Sequence, residues 1–192
     1  LIRLLRAEHI NPATLPEEPF DNPLGQSTGA GILFGATGGV MEAALRTAYH
    51  AVTGQEAPFD AFVSVRGEEG RKVSEFTIGG VPLRTCTVSG LGNAGRLLDD
   101  LKAGKVHYDF VEVMACPGGC VGGGGQPIHD GQERAGMLGK KLYKLDEKRC
   151  LRQSHNNPDV IALYNSFFGK PLSEKAEKLL HSDHLKEKNY LV

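Results

Sequence analysis

FVEVMACPGGCVGGGGQP, residues 110–127, is the stretch whose reading decides this chain. Its first half is a short apolar run that predicts a buried strand over 109–116. Its second half holds Cys116 and, four positions on, Cys120, and six of the twelve residues from 116 to 127 are glycine. On a helical turn, thiolates at i and i+4 share one face with Cβ atoms about 5–6 Å apart, within reach of one edge of a metal cluster. Cysteine thiolates are the usual ligands of iron–sulfur clusters. The glycines remove Cβ atoms, so backbone can approach a wide inorganic group, and they are expected to leave N–H groups free for cluster sulfurs. Met114 adds a soft side chain beside the first cysteine. Zinc is a weaker reading, because a C-x₂₋₄-C pair wants a second pair and Cys86 and Cys150 stand alone. A thioredoxin-like site wants C-x-x-C, not C-x₃-C. A buried structural pair remains open.

The rest of the composition sets bounds. The chain has 192 residues and a net charge of −1, so it fits one domain or one lobe and offers no basic field for nucleic acid. It holds no apolar run long enough to predict a membrane span. The opening LIRLLRAEHI reads as an amphipathic helix that starts without a cap, which points to a piece of a longer polypeptide rather than a secretion leader. A reducing compartment such as the cytoplasm is expected, where clustered cysteines are more often ligands than disulfides, with the periplasm as the second localisation. The 25 glycines cluster at 29–39 and 118–125 without a repeat, as in backbone packed closely around something bulky.

Periodicity predicts helices over 1–9, 38–53, 91–103, 132–150, 158–168 and 173–181. The stripe Val40, Ala44, Leu45, Ala48 and Val52 is expected to be the buried face of the second, and Leu91, Ala94, Leu97, Leu98 and Leu101 that of the third. Residues 60–66, 71–78 and 81–88 read as strands joined by turns at 68–70 and at Gly79-Gly80. With 109–116 this makes a mixed sheet of about four strands flanked by helices, an α/β lobe with a helical C-terminal part. The tail from 181 is polar.

GAGILFGATGG, residues 29–39, is the second glycine-rich segment. It lacks the Gly-Lys-Ser/Thr of a P-loop and the spacing of a dinucleotide fingerprint, so it predicts tight packing rather than a phosphate site. Taken with residues 112–127, however, GAGILFGATGGVMEAALRTAYH (29–50) resembles the [FeFe]-hydrogenases, in the same order and at a similar distance. So does SHNNPDVIALYNSFFGKPLSEKAEKLLH (154–181), in a segment similar to the hydrogenase small subunit, which suggests a division at 153/154. The cysteine motif is the most specific of the three.

The resemblance implies one lobe of the iron-only hydrogenase fold, here the C-terminal half of the H-cluster domain. The family's cofactor joins a [4Fe–4S] cubane to a two-iron unit carrying CO, cyanide and a dithiolate, and interconverts protons, electrons and H₂. By resemblance Cys116 ligates the cubane, Cys120 bridges it to the two-iron unit, and Met114 packs beside that unit. Phe34, Gly35, Ala36 and Thr37 line the pocket, with Gly119 and Gly123 in the cradle. The family's other two cluster cysteines come from segments absent here, so the resemblance implies that an upstream half completes the site and that the isolated lobe self-associates. A ferredoxin or similar carrier is the implied electron partner. Two alternatives stand beside this reading: an iron–sulfur assembly or prelamin-recognition relative without H₂ chemistry, and a zinc-binding module. Cys86 and Cys150 are expected to be buried apolar cysteines. Glu112 reads equally as an acceptor near the cluster or a solvated or helix-capping acid. Gln126, His129 and the carboxylates of 17–18 and 68–69 read as surface groups, and the seven histidines show no metal spacing in sequence, His181 and His184 included.

Overall fold

A computed structural model describes residues 1–19, 21, 25–67, 69–126 and 134–182. Glu68, Pro127, His129, His184 and the tail beyond 182 lie outside the described residues. The seven α-helices among them are α1 (Ile2–Ala7), α2 (Gly29–Leu33), α3 (Gly39–Thr53), α4 (Leu91–Lys102), α5 (Ala135–Glu147), α6 (Pro158–Leu163) and α7 (Glu174–Leu180). The strands are β1 (Arg71–Ile78), β2 (Val81–Ser89) and β3 (Phe110–Met114), in the order β1-β2-β3. β1 and β2 form an antiparallel hairpin through Gly79 and Gly80, both at positive φ (58° and 83°) as a tight two-residue turn requires. β3 runs parallel to β2 after the α4 crossover. The sheet is therefore mixed, as expected, and β2 is its centre.

Burial follows from that order. Residues 85–89 of β2 are all buried, because helices cover both faces. On one side Met41 and Leu45 of α3 pack with Phe62, Val65 and Ile78. On the other, Cys86 and Val88 pack against Leu97 of α4. Full burial of each such Leu or Met contributes about 1.5–3 kcal/mol.

The expected fourth strand over 60–66 is not a strand. Residues Val63–Val65 form a 3₁₀ turn that buries Phe62 and Val65, three apart. Period-three burial in a run of β-branched residues imitates a strand. Its carbonyls are met by the sheet's hydroxyls instead of a ladder, Ser74 Oγ donating to Ser64 O and Thr87 Oγ1 to Val65 O. The buried stripe of α3 is Met41, Leu45 and, partly, Tyr49, one residue round from the expected one, while Ala48 and Val52 are exposed. On α4 only Leu97 is fully buried, and Leu91 and Leu98 are exposed. The helix expected over 158–168 stops at Leu163 and continues as a π-turn through Phe168.

The displaced stripe of α3 leaves room for a buried charge chain. Arg66 holds Glu42 with two hydrogen bonds of 2.6 and 2.7 Å, Glu42 also accepts from Arg46, and Arg46 forks onto Asp146 at 2.9 and 2.7 Å. Arg152 completes it on Asp146. Glu42, Arg46 and Asp146 are each at most 4% exposed. The chain ties α3, α5, the 63–66 turn and the start of the C-terminal part together.

Candidate functional site

β3 ends at Met114, and the glycine-rich loop begins two residues later. Gly90 N–H donates to Met114 O and Gly118 N–H donates to Ser89 Oγ at 2.8 Å, so the loop is anchored to the end of the central strand. It then locks onto the turn after α2, backbone to backbone. Thr37 N–H donates to Gly118 O at 3.1 Å, and Val121 N–H donates to Gly35 O at 3.0 Å. The two glycine-rich segments that stood apart in the sequence are one structural unit.

Gly119 explains why the join needs glycine. Its φ is 95°, in the region that favours glycine, and a Cβ there would lie 2.8 Å from both Gly35 O and Thr37 N. A Cβ on Gly123 would stand 3.4 Å from Cys116 Sγ, so that position keeps the space beside the thiol clear.

The cysteines do not sit on a helical turn. Cys116 lies in the bend after β3 and is partly buried, and Cys120 starts a 3₁₀ turn (Cys120–Gly122) and is exposed. Two left-handed glycines, Gly118 and Gly119, separate them, so the i,i+4 helical argument for their spacing does not apply. Both thiols are free. The expected free N–H donors are corrected as well. Gly118, Gly119, Gly122 and Gly123 already donate to Ser89 Oγ, Cys116 O, Gly119 O and Cys120 O. These glycines act by permitting close approach and the turn itself.

The other named residues fall around this join. Met114 is half-buried at the end of β3, and Ala36, Thr37 and Gly119 are buried. Gly35 is half-buried, and Phe34, at the end of α2, is 49% exposed. Thr37 Oγ1 is buried without a hydrogen-bond partner, while its carbonyl accepts from Tyr143 Oη at 3.0 Å. Ala36 and Thr37 also line a cavity of about 450 Å³ with Arg66, Lys140, Tyr143 and Lys144, which neither cysteine reaches. Burial and the neighbouring Glu42 push the Tyr143 hydroxyl well above the ordinary range.

Glu112, which the sequence left between two roles, is a helix cap. It is 6% exposed, and its oxygens accept from Gly38 N–H at 2.6 Å and Met41 N–H at 2.7 Å, at the N-terminus of α3. Burial pushes its carboxyl above the usual range, against the pull of the N–H groups of Gly38, Met41 and Val40. It positions the turn at 34–38 rather than facing the thiols. Gln126 is exposed, as expected. Cys86 is buried in the sheet, but Cys150 is exposed, because the chain leaves α5 for the surface before it. Ser89, the loop's anchor, carried no sequence signal beyond its place at a strand end.

What the unit offers chemically is two free thiols on a glycine-rich loop, with a soft Met114 nearby. That donor set suits two corners of an iron–sulfur cluster. Similarity to known proteins bears on this. The model "Iron only hydrogenase large subunit, C-terminal domain" matches residues 1–124, and "Iron hydrogenase small subunit" matches 138–186. The NADP-reducing hydrogenase subunit HndD of Solidesulfovibrio fructosivorans is 48% identical over 97% of this chain and 32% of its own length. The periplasmic [Fe] hydrogenase large subunit of Nitratidesulfovibrio vulgaris is 43% identical over 81% of this chain and 37% of its own. The chain thus spans about a third of these relatives. A more distant relative, cytosolic iron-sulfur assembly component 3 of Mus musculus, is 30% identical over 96% of the chain and 39% of its own length. Among solved structures, a variant of the [FeFe]-hydrogenase HydA1 from Chlamydomonas reinhardtii superposes with a TM-score of 0.70 at 42% identity, over 94% of this chain and 52% of that one. The relatives' names include both periplasmic and cytosolic proteins, and no helix among the described residues is long and apolar enough to cross a membrane. With a family model covering residues 1–124 and a hydrogenase 48% identical along nearly all of it, the chain belongs to the iron-only hydrogenase family, in the C-terminal domain of the large subunit.

Proposed function

We propose that this chain is the C-terminal half of an [FeFe]-hydrogenase catalytic domain and supplies two of the four cysteines that hold its H-cluster. The observation that carries the reading is the backbone lock between Gly35–Thr37 and Gly118–Val121, which holds Cys116 and Cys120 on a glycine-rich loop. In this reading the partly buried Cys116 and the exposed Cys120 would both hold the cofactor through their thiolates. When bound, the cofactor supplies the iron chemistry that interconverts protons, electrons and H₂.

The chain's own residues do the rest. The Cys116 and Cys120 thiolates fix the cluster edge. Gly123 leaves room beside Cys116 Sγ. Met114, Phe34 and Gly35 form a soft, largely apolar border that excludes water, and Ala36 and Thr37 are its buried floor. An upstream half brings the remaining two cysteines and the proton relay, and a ferredoxin-type carrier brings electrons. The division at 153/154 separates the cluster lobe from the small-subunit-like segment. By this reading the chain alone evolves no H₂.

The second reading is an iron–sulfur assembly relative that binds a cubane without H₂ chemistry, favoured by the similarity to the mouse protein. One experiment separates the two. This chain is grafted in place of the matching C-terminal segment of HndD and matured anaerobically in a hydrogenase-producing host. The hydrogenase reading expects H₂ evolution from reduced viologen, abolished by Cys120→Ser. A chimera that folds and carries iron but makes no H₂ selects the assembly reading. A colourless, zinc-containing chimera selects the zinc module and ends both.

A further inference from the structure

We propose that His50, Glu56 and His155 form a binding site for one divalent transition metal of the zinc class, separate from the cysteine loop. Among the described residues this is the one group of three whose ligand atoms all lie within 4.8 Å of one another. The proposal does not depend on the hydrogenase reading.

The three residues come from far apart in sequence. His50 lies in the last turn of α3, Glu56 follows the end of that helix, and His155 sits in a 3₁₀ turn, Ser154–Asn156. Glu56 Oε1 stands 3.1 Å from His155 Nε2 and 3.4 Å from His50 Nδ1. A tetrahedral ion with bonds of about 2.0–2.2 Å separates its ligand atoms by roughly 3.3–3.5 Å. Two of the three edges already have nearly that length.

The groups around the ligands hold them in metal-binding form. Thr47 Oγ1 lies 3.1 Å from His155 Nδ1, on the far side of the ring from Glu56. A hydrogen bond there fixes the ring and directs Nε2 at the carboxylate, the outer-sphere arrangement that metal-bound histidines use. Asn156 Nδ2 donates to Glu56 Oε1 at 2.9 Å and orients the carboxylate. The two imidazoles stack at 4.3 Å with 18° between their planes. His50 Nδ1 is sealed from solvent yet makes no hydrogen bond. A metal ion gives that nitrogen the partner it lacks. Because Glu56 and His50 are half exposed, a fourth position is open to water. The ion would cross-link α3 of the cluster lobe to the start of the C-terminal segment.

The test is titration of Co²⁺ and Zn²⁺ into the full chain carrying Cys116→Ser, Cys120→Ser and Cys150→Ser, so that no exposed thiolate competes. One equivalent is expected to bind, with the visible bands of a nitrogen–oxygen site, and to raise the melting temperature. Glu56→Gln and His155→Ala are each expected to weaken binding by about tenfold or more. Glu56 is nearly half exposed, so Glu56→Gln keeps the test intact if His155→Ala fails to fold. Equal affinity in the parent and Glu56→Gln chains, or no stoichiometric binding by the parent, overturns the proposal and leaves Glu56 as a hydrogen-bond partner of His155 and Asn156.

Discussion

At the scale of single residues, the legible part of the site was what chemistry makes rare. Cys116 and Cys120 in a glycine run, with Met114 just ahead, are conspicuous in any sequence. Their surroundings were less so. Glu112 could not be assigned, because an acid on a strand looks the same whether it faces a cluster or caps a helix, and only the fold brings Gly38 and Met41 N–H to it. The purpose of the glycines is half legible: close approach is expected from the sequence, but the N–H groups of Gly118, Gly119, Gly122 and Gly123 are engaged rather than free. Gly119 makes this testable. Gly119→Ala places a Cβ against Gly35 O and Thr37 N, which are backbone atoms that cannot swing aside, at a positive φ. A loss of about 1–3 kcal/mol is expected in urea unfolding, with less iron retained after anaerobic reconstitution. Gly124→Ala is the control, since its added Cβ meets nothing within 4 Å. Equal behaviour of the two variants would mean that the lock between the loops does not position the thiols.

At the scale of elements, three of the four expected strands are strands in the structure, and the run over 60–66 is not. The β1–β2 hairpin and the α4 crossover follow from alternation, paired glycines and helical spacing. The 63–65 turn was lost because burial of Phe62 and Val65 does not need extended backbone. The stripe of α3 was misplaced for a related reason. Hydrophobicity alone picks Ala44 and Val52, whereas the fold buries Glu42 and Arg46, and sequence patterning does not pair Arg46 with an acid a hundred positions away. That pairing carries a pH signature. Burial alone would raise the Asp146 carboxyl, but the hydrogen bonds and charges of Arg46 and Arg152 outweigh it and hold it below the usual range. A carboxyl depressed in the folded state adds stability above its unfolded pKa of ~3.9 and loses it as pH falls through the folded value. Asp146→Asn, which leaves Arg46 and Arg152 short of an anion, is expected to cost about 3–5 kcal/mol at neutral pH. The gap to wild type should begin to narrow below pH ~4, where Asp146 of the unfolded chain takes up its proton, and go on narrowing as pH falls through the lower folded value. A gap constant from pH 7 down through that range would remove Asp146 from the account of acid stability.

At the scale of the whole molecule, the lobe presents apolar surface that its own elements leave uncovered. α1 buries no residue, with Leu1 at 90% and Leu4 at 59% exposed. Leu91 and Leu98 of α4 are 66% and 54% exposed, and Phe34, beside the cysteine loop, is 49% exposed. Single exposed apolar residues are ordinary, so what counts is where each one stands. Phe34 matters most for function. It precedes Gly35, whose carbonyl grips the Val121 N–H next to Cys120, so the face on which the proposed upstream half would complete the cluster is itself apolar. If the proposed upstream half is not in place, a second copy of the same face would be the available cover. Sedimentation velocity of the isolated chain is therefore expected to show concentration-dependent association at micromolar levels, together with binding of a hydrophobic dye. Phe34→Asp should reduce both, and by more than Leu98→Asp, because α4 lies on the far side of the sheet from α3 and the loop that α3 supports. A dye-silent monomer would mean that this surface needs no partner. Association relieved only at Leu98 would move the docking face to α4, away from the cysteines.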